Sequence, residues 1–124
     1  MIAIVDYGVG NLFSLRSSLR ALGAETEVTR DAGRLRAAGR IILPGVGAFG
    51  DAREKLEGTG LVPVLREEAE RKPLLGICLG MQLLFEYSTD YGRHQGLGLI
   101  PGGGRDIREA VPAACKVPHI GWNA

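Results

Sequence analysis

A cysteine framed by two glycines is the strongest chemical signal in this sequence. Cys78 forms a G-x-C-x-G pattern with Gly76 and Gly80, between an apolar run and a stretch of helical character. This is the cysteine form of a nucleophile elbow, a sharp strand-to-helix turn that exposes the nucleophile. The start of a helix favours negative charge, and the thiolate is the reactive form of cysteine. The pattern predicts a nucleophile, the alternative being a small buried hydrophobic residue in a tight turn.

Attack of a thiolate on a carbonyl also requires N–H groups that stabilise the oxyanion. The backbone N–H of Leu79, directly after the nucleophile, would point to the place where the oxyanion forms. A second glycine-rich segment, residues 44–51 (PGVGAFGD), follows another buried apolar run. Such a backbone can present N–H groups to an anion, so Val46 or Gly47 is predicted to supply the second donor. The alternative for this segment is a plain strand-to-helix turn.

The general base is harder to find, because the chain contains only two histidines. A cysteine nucleophile is usually activated by a histidine. His94 lies in a polar stretch and is predicted to be solvated, whereas His119 follows a predicted strand and is a formal candidate, with a turn or interface role as the alternative. Cys115 has no activating neighbours, and these scattered residues make no metal-ligand spacing. The sequence predicts no metal site and leaves the role of His119 open.

Short apolar runs that alternate with helical patterns must position these groups. Strands are predicted at residues 1–6, 25–29, 40–43 and 74–77, and those at 1–5, 41–43 and 74–77 are expected to be buried and adjacent or nearly adjacent. Leucines at positions 12, 15, 19 and 22 predict a helix with Asn11 as its N-cap and Gly23 as its C-terminal stop. Further helices are predicted at 35–38, 52–56, 61–71 and 80–86. This alternation predicts an α/β fold, an open and mostly parallel sheet with helices on both faces. Ligands bind beyond the carboxyl ends of such strands, where the glycine-bearing turns lie. Farther along, strands at 97–100 and 116–119 and a turn at 101–104 are predicted.

Composition and charge restrict the function classes. The 124 residues suit one domain, and a net charge of +1 gives no reason to expect a nucleic-acid or membrane surface. Two cysteines in different surroundings suggest no disulfide framework, so a cytoplasmic location is expected. No apolar run approaches the roughly 20 residues that span a bilayer. The first glycine-rich turn misses the dinucleotide-binding fingerprint, because Phe13 stands where its third glycine should be.

Several segments resemble a known family along the whole chain. Residues 76–82 (GICLGMQ) resemble the nucleophile segment of class I (triad) glutamine amidotransferases. The more specific segments resemble the glutaminase subunits of imidazole glycerol phosphate synthases within that family: 6–12 (DYGVGNL), 43–50 (LPGVGAFG), 96–102 (GLGLIPG) and 118–123 (PHIGWN). The resemblance implies a flavodoxin-like amidotransferase fold and a role in histidine biosynthesis.

The resemblance also implies a mechanism that needs no cofactor. Cys78 would attack the carboxamide of glutamine to form a glutamyl thioester, and water would then release glutamate. The ammonia would pass to a (βα)8-barrel cyclase subunit. Glutamine and its oxyanion would be held by one set of residues, namely Gly45, Val46, Gly47, Leu79 and Gln82. Another set matches segments that face the cyclase in this family, namely Asn11, Trp122 and Asn123.

One departure from the family pattern affects the expected activity. In the family, the base and its partner form a His-x-Glu stretch beyond the Gly-Trp-Asn segment, and no His-x-Glu occurs in these 124 residues. We therefore expect residues 1–124 to be the N-terminal portion of an amidotransferase domain, inactive alone. The alternatives are a glutaminase that serves another synthase, a non-catalytic binding module, and a redox or small-hydrolase thiol protein.

Overall fold

The computed structural model describes residues 1–88 and 94–104, and its centre is a parallel sheet. Four strands form it: β1 (Ile2–Val5), β2 (Thr26–Thr29), β3 (Arg40–Leu43) and β4 (Leu74–Gly76). Their order is β2-β1-β3-β4, and every neighbouring pair is parallel. The predicted parallel sheet, with β1, β3 and β4 as neighbours, is confirmed, but β4 is only partly buried where a buried strand was predicted.

Five helices of the described residues accompany the sheet, and the strand order determines which face each of the first four covers. They are α1 (Leu12–Ala21), α2 (Ala32–Ala37), α3 (Phe49–Gly58), α4 (Val62–Ala69) and α5 (Leu79–Leu83). The chain moves outward from β1 to β2, then back across β1 to β3 and on to β4. Because crossovers between parallel strands are right-handed, α1 lies on one face and α2, α3 and α4 lie on the other. Helices on both faces are therefore confirmed.

The main core lies on the face that α2, α3 and α4 cover. Side chains alternate between the two faces of a strand. One set of strand residues joins the helices in a single buried cluster whose central members are Ala3, Val5, Ile41, Leu43, Leu35, Phe49, Leu56, Leu65 and Leu83. Ile4 and Ile42 point to the opposite face and are also buried. On the edge strand β4, Leu75 is 57% exposed, so this edge of the sheet is less covered than its centre.

Helix α1 begins and ends at the predicted residues but is only partly buried. The Asn11 side chain accepts a hydrogen bond from the Ser14 N–H at 3.1 Å, which is the N-cap contact that the sequence predicts. Gly23 follows the helix with φ +80°, as a C-terminal glycine does. No residue of α1 is fully buried, and Leu22 is 82% exposed. The leucine spacing therefore predicted the helix and both of its ends, although none of its leucines is fully buried.

A buried carboxylate ties α2 to α4. The Glu68 side chain is 1% exposed and lies 2.6 Å from Arg71, 3.2 Å from Arg36 and 3.3 Å from Lys72. The Lys72 ammonium also donates to the carbonyl groups of Leu35, Arg36 and Ala38 at the end of α2. Cations at a helix C-terminus are favourable, so this cluster fixes α2 against the end of α4.

A small second sheet corrects three predictions. It consists of β5 (Phe85–Ser88), β6 (His94–Gln95) and β7 (Ile100–Gly104), where β5 pairs antiparallel with β6 and parallel with β7. The predicted helix at 80–86 ends at Leu83, residues 97–99 are not a strand, and residues 101–104 are a strand rather than a turn. The predicted strand at 116–119 lies outside the described residues.

Hydrogen bonds from one segment to another explain these corrections. The N–H groups of Leu97 and Leu99 donate to the carbonyls of Leu83 and Leu84 at 2.7 and 2.8 Å. These carbonyls at the end of α5 are thus satisfied without another helical turn, and the donors cannot enter a strand ladder. Arg53 and Arg66 hold the same segment, since each donates from Nε to a backbone carbonyl, of Gln95 and Leu97, at 3.1 and 3.0 Å. A local sequence pattern does not indicate such contacts between segments that are distant in the chain.

None of the helices in residues 1–88 and 94–104 is long and apolar enough to cross a membrane.

Candidate active site

Three turns meet at the carboxyl ends of neighbouring strands. The turn after β1 contains Tyr7, the turn after β3 begins at Pro44, and the turn after β4 contains Cys78. The chain leaves β1 and β3 in opposite directions, so the gap between these strands is a topological switch point. In open α/β sheets, ligands bind in the crevice at such a point. The predicted elbow and the predicted oxyanion segment are therefore on adjacent strands at this edge.

Cys78 has the backbone conformation of a nucleophile elbow. Its φ and ψ are 54° and −122°, and it is the one non-glycine residue with positive φ among the described residues. Such a conformation costs roughly 1–3 kcal/mol and persists only where the surroundings impose it. The residue is exposed at the surface of the site. A strained, accessible thiol between a strand and a helix is the geometry that the G-x-C-x-G pattern predicts.

The two glycines of the pattern are required by close backbone approach. A Cβ on Gly76 would lie 2.6 Å from the Met81 Cα and 2.7 Å from the Met81 nitrogen. A Cβ on Gly80 would overlap the carbonyl oxygen of Leu43, which is the last residue of β3. The turn is closed by the Gly80 N–H, which donates to the Ile77 carbonyl at 2.9 Å. The absence of a side chain at Gly76 therefore lets the end of β4 lie close to α5, and its absence at Gly80 lets the elbow pack against the end of β3.

Helix α5 is shorter than the sequence indicates, and this weakens one argument for the thiolate. The helix runs over five residues, Leu79–Leu83. A macrodipole arises from aligned peptide groups, so a helix of this length contributes less than the longer one predicted at 80–86. The case for Cys78 as the nucleophile consequently rests on its backbone geometry and exposure more than on the helix dipole.

The predicted oxyanion segment lies directly against the elbow. Gly45 is buried, and a Cβ there would lie 2.7 Å from the Gly80 nitrogen and 3.1 Å from the Leu79 Cβ. Val46 is 57% exposed, and the exposed Gly47 has φ +93°. The Leu79 N–H donates to the Gly45 carbonyl at 3.2 Å. Both predicted sources of oxyanion donors are thus in contact, and the Leu79 donor faces a carbonyl of the chain.

Tyr7 is a site residue that the sequence did not single out. Its side chain is 3% exposed, and its hydroxyl donates to the Pro44 carbonyl at 2.5 Å. The same hydroxyl oxygen would be 2.8 Å from a Cβ on Gly45. Burial raises the pKa of Tyr7 to about 12. The one sequence signal that could have found it is its place directly after β1, at the predicted switch point.

The remaining predicted residues lie at the rim of the site or outside the described residues. Gln82 is half-buried on α5, one turn from the nucleophile, and its N–H donates to the Cys78 carbonyl at 3.3 Å. Asn11 is exposed and caps α1. Outside the described residues are the other predicted interface residues, the candidate base and the second cysteine, namely Trp122, Asn123, His119 and Cys115. Within the described residues, no cluster of His, Cys, Asp and Glu could hold a metal ion.

The chemistry of this arrangement is nucleophilic attack on a carbonyl. An exposed cysteine stands in a strained turn beside a glycine-rich backbone segment, and the described site holds no metal-binding cluster. A thiolate with nearby backbone N–H groups suits acyl transfer, because the N–H groups can stabilise the charge that develops on the carbonyl oxygen.

Comparison with known proteins agrees with this chemistry. The family model described as "Glutamine amidotransferase class-I" matches residues 3–124. Over 123 residues, the sequence is 54% identical to the imidazole glycerol phosphate synthase subunit HisH of Moorella thermoacetica, with 98% of this chain and 57% of that protein covered. The subunit of the same name from Exiguobacterium sibiricum is 50% identical over 123 residues, with 99% and 61% covered. The chain thus spans about three-fifths of the length of these curated relatives.

Solved structures show the same fold in more distant proteins. A crystal structure of a glutamine amidotransferase superposes with a TM-score of 0.67 at 22% identity, covering 81% of this chain and 53% of that one. A putative peptidase E protein from Listeria monocytogenes superposes with a TM-score of 0.63 at 19% identity, covering 80% and 62%. At such identities the similarity supports the open parallel sheet with its helices, and it does not distinguish between activities.

Proposed function

Because this chain belongs to the class-I glutamine amidotransferase family, we propose that it provides the nucleophile-bearing portion of the glutaminase of an imidazole glycerol phosphate synthase. The proposed reaction is the hydrolysis of glutamine to glutamate and ammonia, with the ammonia passed to a cyclase subunit for histidine biosynthesis. We further propose a (βα)8-barrel as the cyclase and the cytoplasm as the location. We choose this synthase over others because the relatives at 50–54% identity are subunits of imidazole glycerol phosphate synthases.

The single observation that carries this proposal is the elbow at Cys78. Its φ of 54° and its exposure support a sulfur that a substrate can reach, at an edge where ligands bind in this fold. The thiolate would attack the carboxamide carbon, forming a C–S bond and an oxyanion. Collapse of this intermediate releases ammonia once the leaving nitrogen is protonated, and water then cleaves the thioester to glutamate. Gln82, one helical turn away, is proposed to bind the glutamine.

Oxyanion stabilisation by Leu79 requires a change in its hydrogen bond. The Leu79 N–H donates to the Gly45 carbonyl at 3.2 Å, so this donor is engaged within the chain. An oxyanion could take this N–H only if the Gly45 carbonyl turned away. Gly45 and Gly47 flank Val46, and glycines allow such rotation at low cost. We propose that the backbone of Gly45, Val46 and Gly47 supplies the second donor when the segment is rearranged.

The proposed site still needs a general base, and we assign none of these 124 residues to that role. The family's base is the histidine of a His-x-Glu stretch, and this sequence contains no such stretch. Loss of one member of a catalytic triad removes nearly all turnover, since the members act as a unit. We therefore propose that a polypeptide of these 124 residues releases little or no glutamate alone. Asn11, Trp122 and Asn123 are proposed to face the cyclase.

The direct test is glutamate release by the natural gene product in the presence of the cyclase. We expect hydrolysis of glutamine, and a loss on the order of a thousandfold or more in Cys78→Ala, because the nucleophile is removed. Cys115→Ala is the matched control, as it removes the other cysteine of these 124 residues and should leave the rate unchanged. Full activity in Cys78→Ala would refute the proposal. Cyclase binding without glutamate release would support the alternative, a non-catalytic binding module.

A further inference from the structure

We propose that Tyr7 is a positioning residue for glutamine hydrolysis, whose hydroxyl fixes the Pro44–Gly45 peptide and so anchors the start of residues 45–47 beside the elbow, while the Gly45 carbonyl, in the next peptide group, stays free to turn away from Leu79. This inference rests on the proposed function. Tyr7 itself is assigned no contact with glutamine; its hydroxyl bonds the Pro44 carbonyl and lies beside Gly45. It would act through the backbone segment that is proposed to hold the oxyanion.

The contact joins two turns that are far apart in sequence. Tyr7 follows β1, and Pro44 follows β3, 37 residues later. The hydroxyl donates to the Pro44 carbonyl at 2.5 Å, and both residues are buried. Gly10, in the same turn as Tyr7, also packs on Pro44, since a Cβ at Gly10 would lie 3.1 Å from the Pro44 Cβ. Tyr7 and Gly10, both in the turn after β1, therefore contact Pro44, the first residue of the predicted oxyanion segment.

Because the peptide group is planar, the hydrogen bond to the Pro44 carbonyl also restrains the Gly45 nitrogen. The Pro44 carbonyl and the Gly45 nitrogen belong to one planar peptide group, so fixing the carbonyl fixes the direction in which residues 45–47 begin. The Gly45 carbonyl belongs to the next peptide group, and because Gly45 has no Cβ, this carbonyl can still turn away from Leu79. The hydroxyl oxygen of Tyr7 occupies the space next to the Gly45 Cα, together with the Gly80 nitrogen. Tyr7 thus restrains a glycine whose small size the elbow requires.

The hydroxyl does more here than fill space. A phenyl ring alone could provide the apolar contacts of this buried position. The Pro44 carbonyl, however, is buried at the end of β3 and needs a donor. The raised pKa of Tyr7, about 12, keeps the hydroxyl protonated as a donor throughout the neutral and mildly alkaline range. The bond to Pro44 is therefore present at every pH at which glutamine hydrolysis would be assayed.

The test compares Tyr7→Phe with Tyr87→Phe in the natural gene product assayed with the cyclase. Tyr7→Phe keeps the ring and removes the hydroxyl, whereas Tyr87→Phe removes the same group from the second sheet. We expect kcat to fall roughly fivefold to tenfold in Tyr7→Phe, the size of one lost hydrogen bond. The KM for glutamine should change less than about twofold, since the bond orients donors that act in the transition state. The control should match the wild type.

A purely structural role would give a different result. Tyr7→Phe would then lower the melting temperature and leave kcat unchanged at temperatures well below melting, which would overturn the inference. A rise in KM with unchanged kcat would overturn it as well, because it would place Tyr7 in substrate binding. Alkylation of Cys78 by iodoacetamide should proceed at the wild-type rate in Tyr7→Phe, since the thiol itself is not altered.

A measurement independent of turnover separates this inference from the proposed function. Amide hydrogen exchange at Leu79, read by NMR, reports its bond to the Gly45 carbonyl. Tyr7→Phe should speed this exchange severalfold and Tyr87→Phe should not, since only the first frees the segment that accepts the bond. Wild-type exchange at Leu79 in Tyr7→Phe would refute the positioning role. A wild-type protein that released no glutamate would refute the proposed function, and the exchange result would still decide whether Tyr7 fixes the segment.

Discussion

At the residue scale, the site depends on glycines, which have no side chain, as much as on the thiol of Cys78. Cys78 has a positive φ because the chain turns sharply there, from β4 into α5. Gly80 allows the elbow to touch the end of β3, where any side chain would meet backbone atoms. Backbone atoms cannot move aside as the end of a flexible side chain can. Substitution of this glycine should therefore be costly.

Gly80→Ala tests this requirement. Its Cβ would overlap the Leu43 carbonyl oxygen and lie 3.0 Å from the Pro44 carbonyl carbon. We expect the free energy of unfolding to fall by about 3 kcal/mol, at the upper end of overpacking costs. Gly58→Ala is the matched control, because Gly58 ends α3 with no atom within 4 Å of the added Cβ. Chemical denaturation should show this control unchanged or stabilised by up to about 1 kcal/mol. Equal midpoints for the two variants would contradict the account.

Much of the site at this scale could be predicted from sequence. The G-x-C-x-G pattern around Cys78 is typical of a sharp strand-to-helix turn. The elbow, its two glycines and its place between a strand and a helix were therefore predictable. Tyr7 was not, because its role depends on a carbonyl 37 residues away. The bond between Leu79 and Gly45 was equally hidden, since the sequence does not show which acceptor an N–H will meet. Residues that act through distant backbone leave no local pattern.

At the element scale, the parallel sheet was predictable and the second sheet was not. The two central strands, β1 and β3, are short apolar runs whose side chains are buried, and composition alone indicates such strands. The outer strands, β2 and β4, are only partly buried. By contrast, α5 stops at Leu83 because its carbonyls accept bonds from residues 97–100. A helical pattern at 80–86 could not show where those donors would come from. These tertiary hydrogen bonds therefore outweighed the local preference of Phe85 and Glu86 for a helix.

The Glu68 cluster predicts an element-scale dependence of stability on pH. Burial raises the pKa of the Glu68 carboxyl, but hydrogen bonds from Arg71 and Lys72 outweigh this, so the pKa lies below its ordinary value. A carboxyl with a lowered folded pKa stabilises the fold above its unfolded pKa, near 4.3, and loses this contribution as pH falls through the folded pKa. Glu68→Gln should therefore melt at a lower temperature than the wild type at pH 7.

The same difference in melting temperature should shrink as pH falls from about 5 towards 3, because the wild-type carboxyl becomes protonated there. Differential scanning calorimetry across this range provides the measurement. Glu70→Gln is the control, since Glu70 follows α4 on its exposed side. A difference between wild type and Glu68→Gln that stayed constant from pH 7 to 3 would show that the carboxylate charge does not contribute.

At the scale of the whole molecule, the account depends on a partner and on residues beyond the described sheet. The chain spans about three-fifths of the length of its curated relatives, so activity belongs to a larger assembly in our proposal. The proposed cyclase surface includes Asn11, which also caps α1. These two roles can be separated, because an aspartate caps a helix as well as an asparagine does.

Substitutions of Asn11 should distinguish capping from cyclase binding. Asn11→Ala removes the cap and should lower the free energy of unfolding by about 1 kcal/mol. Asn11→Asp should leave stability unchanged. If Asn11 faces the cyclase, both variants should weaken its binding in titration calorimetry, as the amide is lost in each. Wild-type affinity in Asn11→Asp would remove Asn11 from the proposed interface.

The central claim is that Cys78 attacks the carboxamide of glutamine, and covalent trapping tests it most directly. A glutamine analogue with an electrophilic ketone in place of the amide should alkylate the natural gene product in the presence of the cyclase. Peptide mass spectrometry should then place the added mass on Cys78 and not on Cys115, and glutamine should slow the reaction by competition. Modification of Cys115 instead, or labelling of Cys78 that glutamine does not slow, would contradict the account.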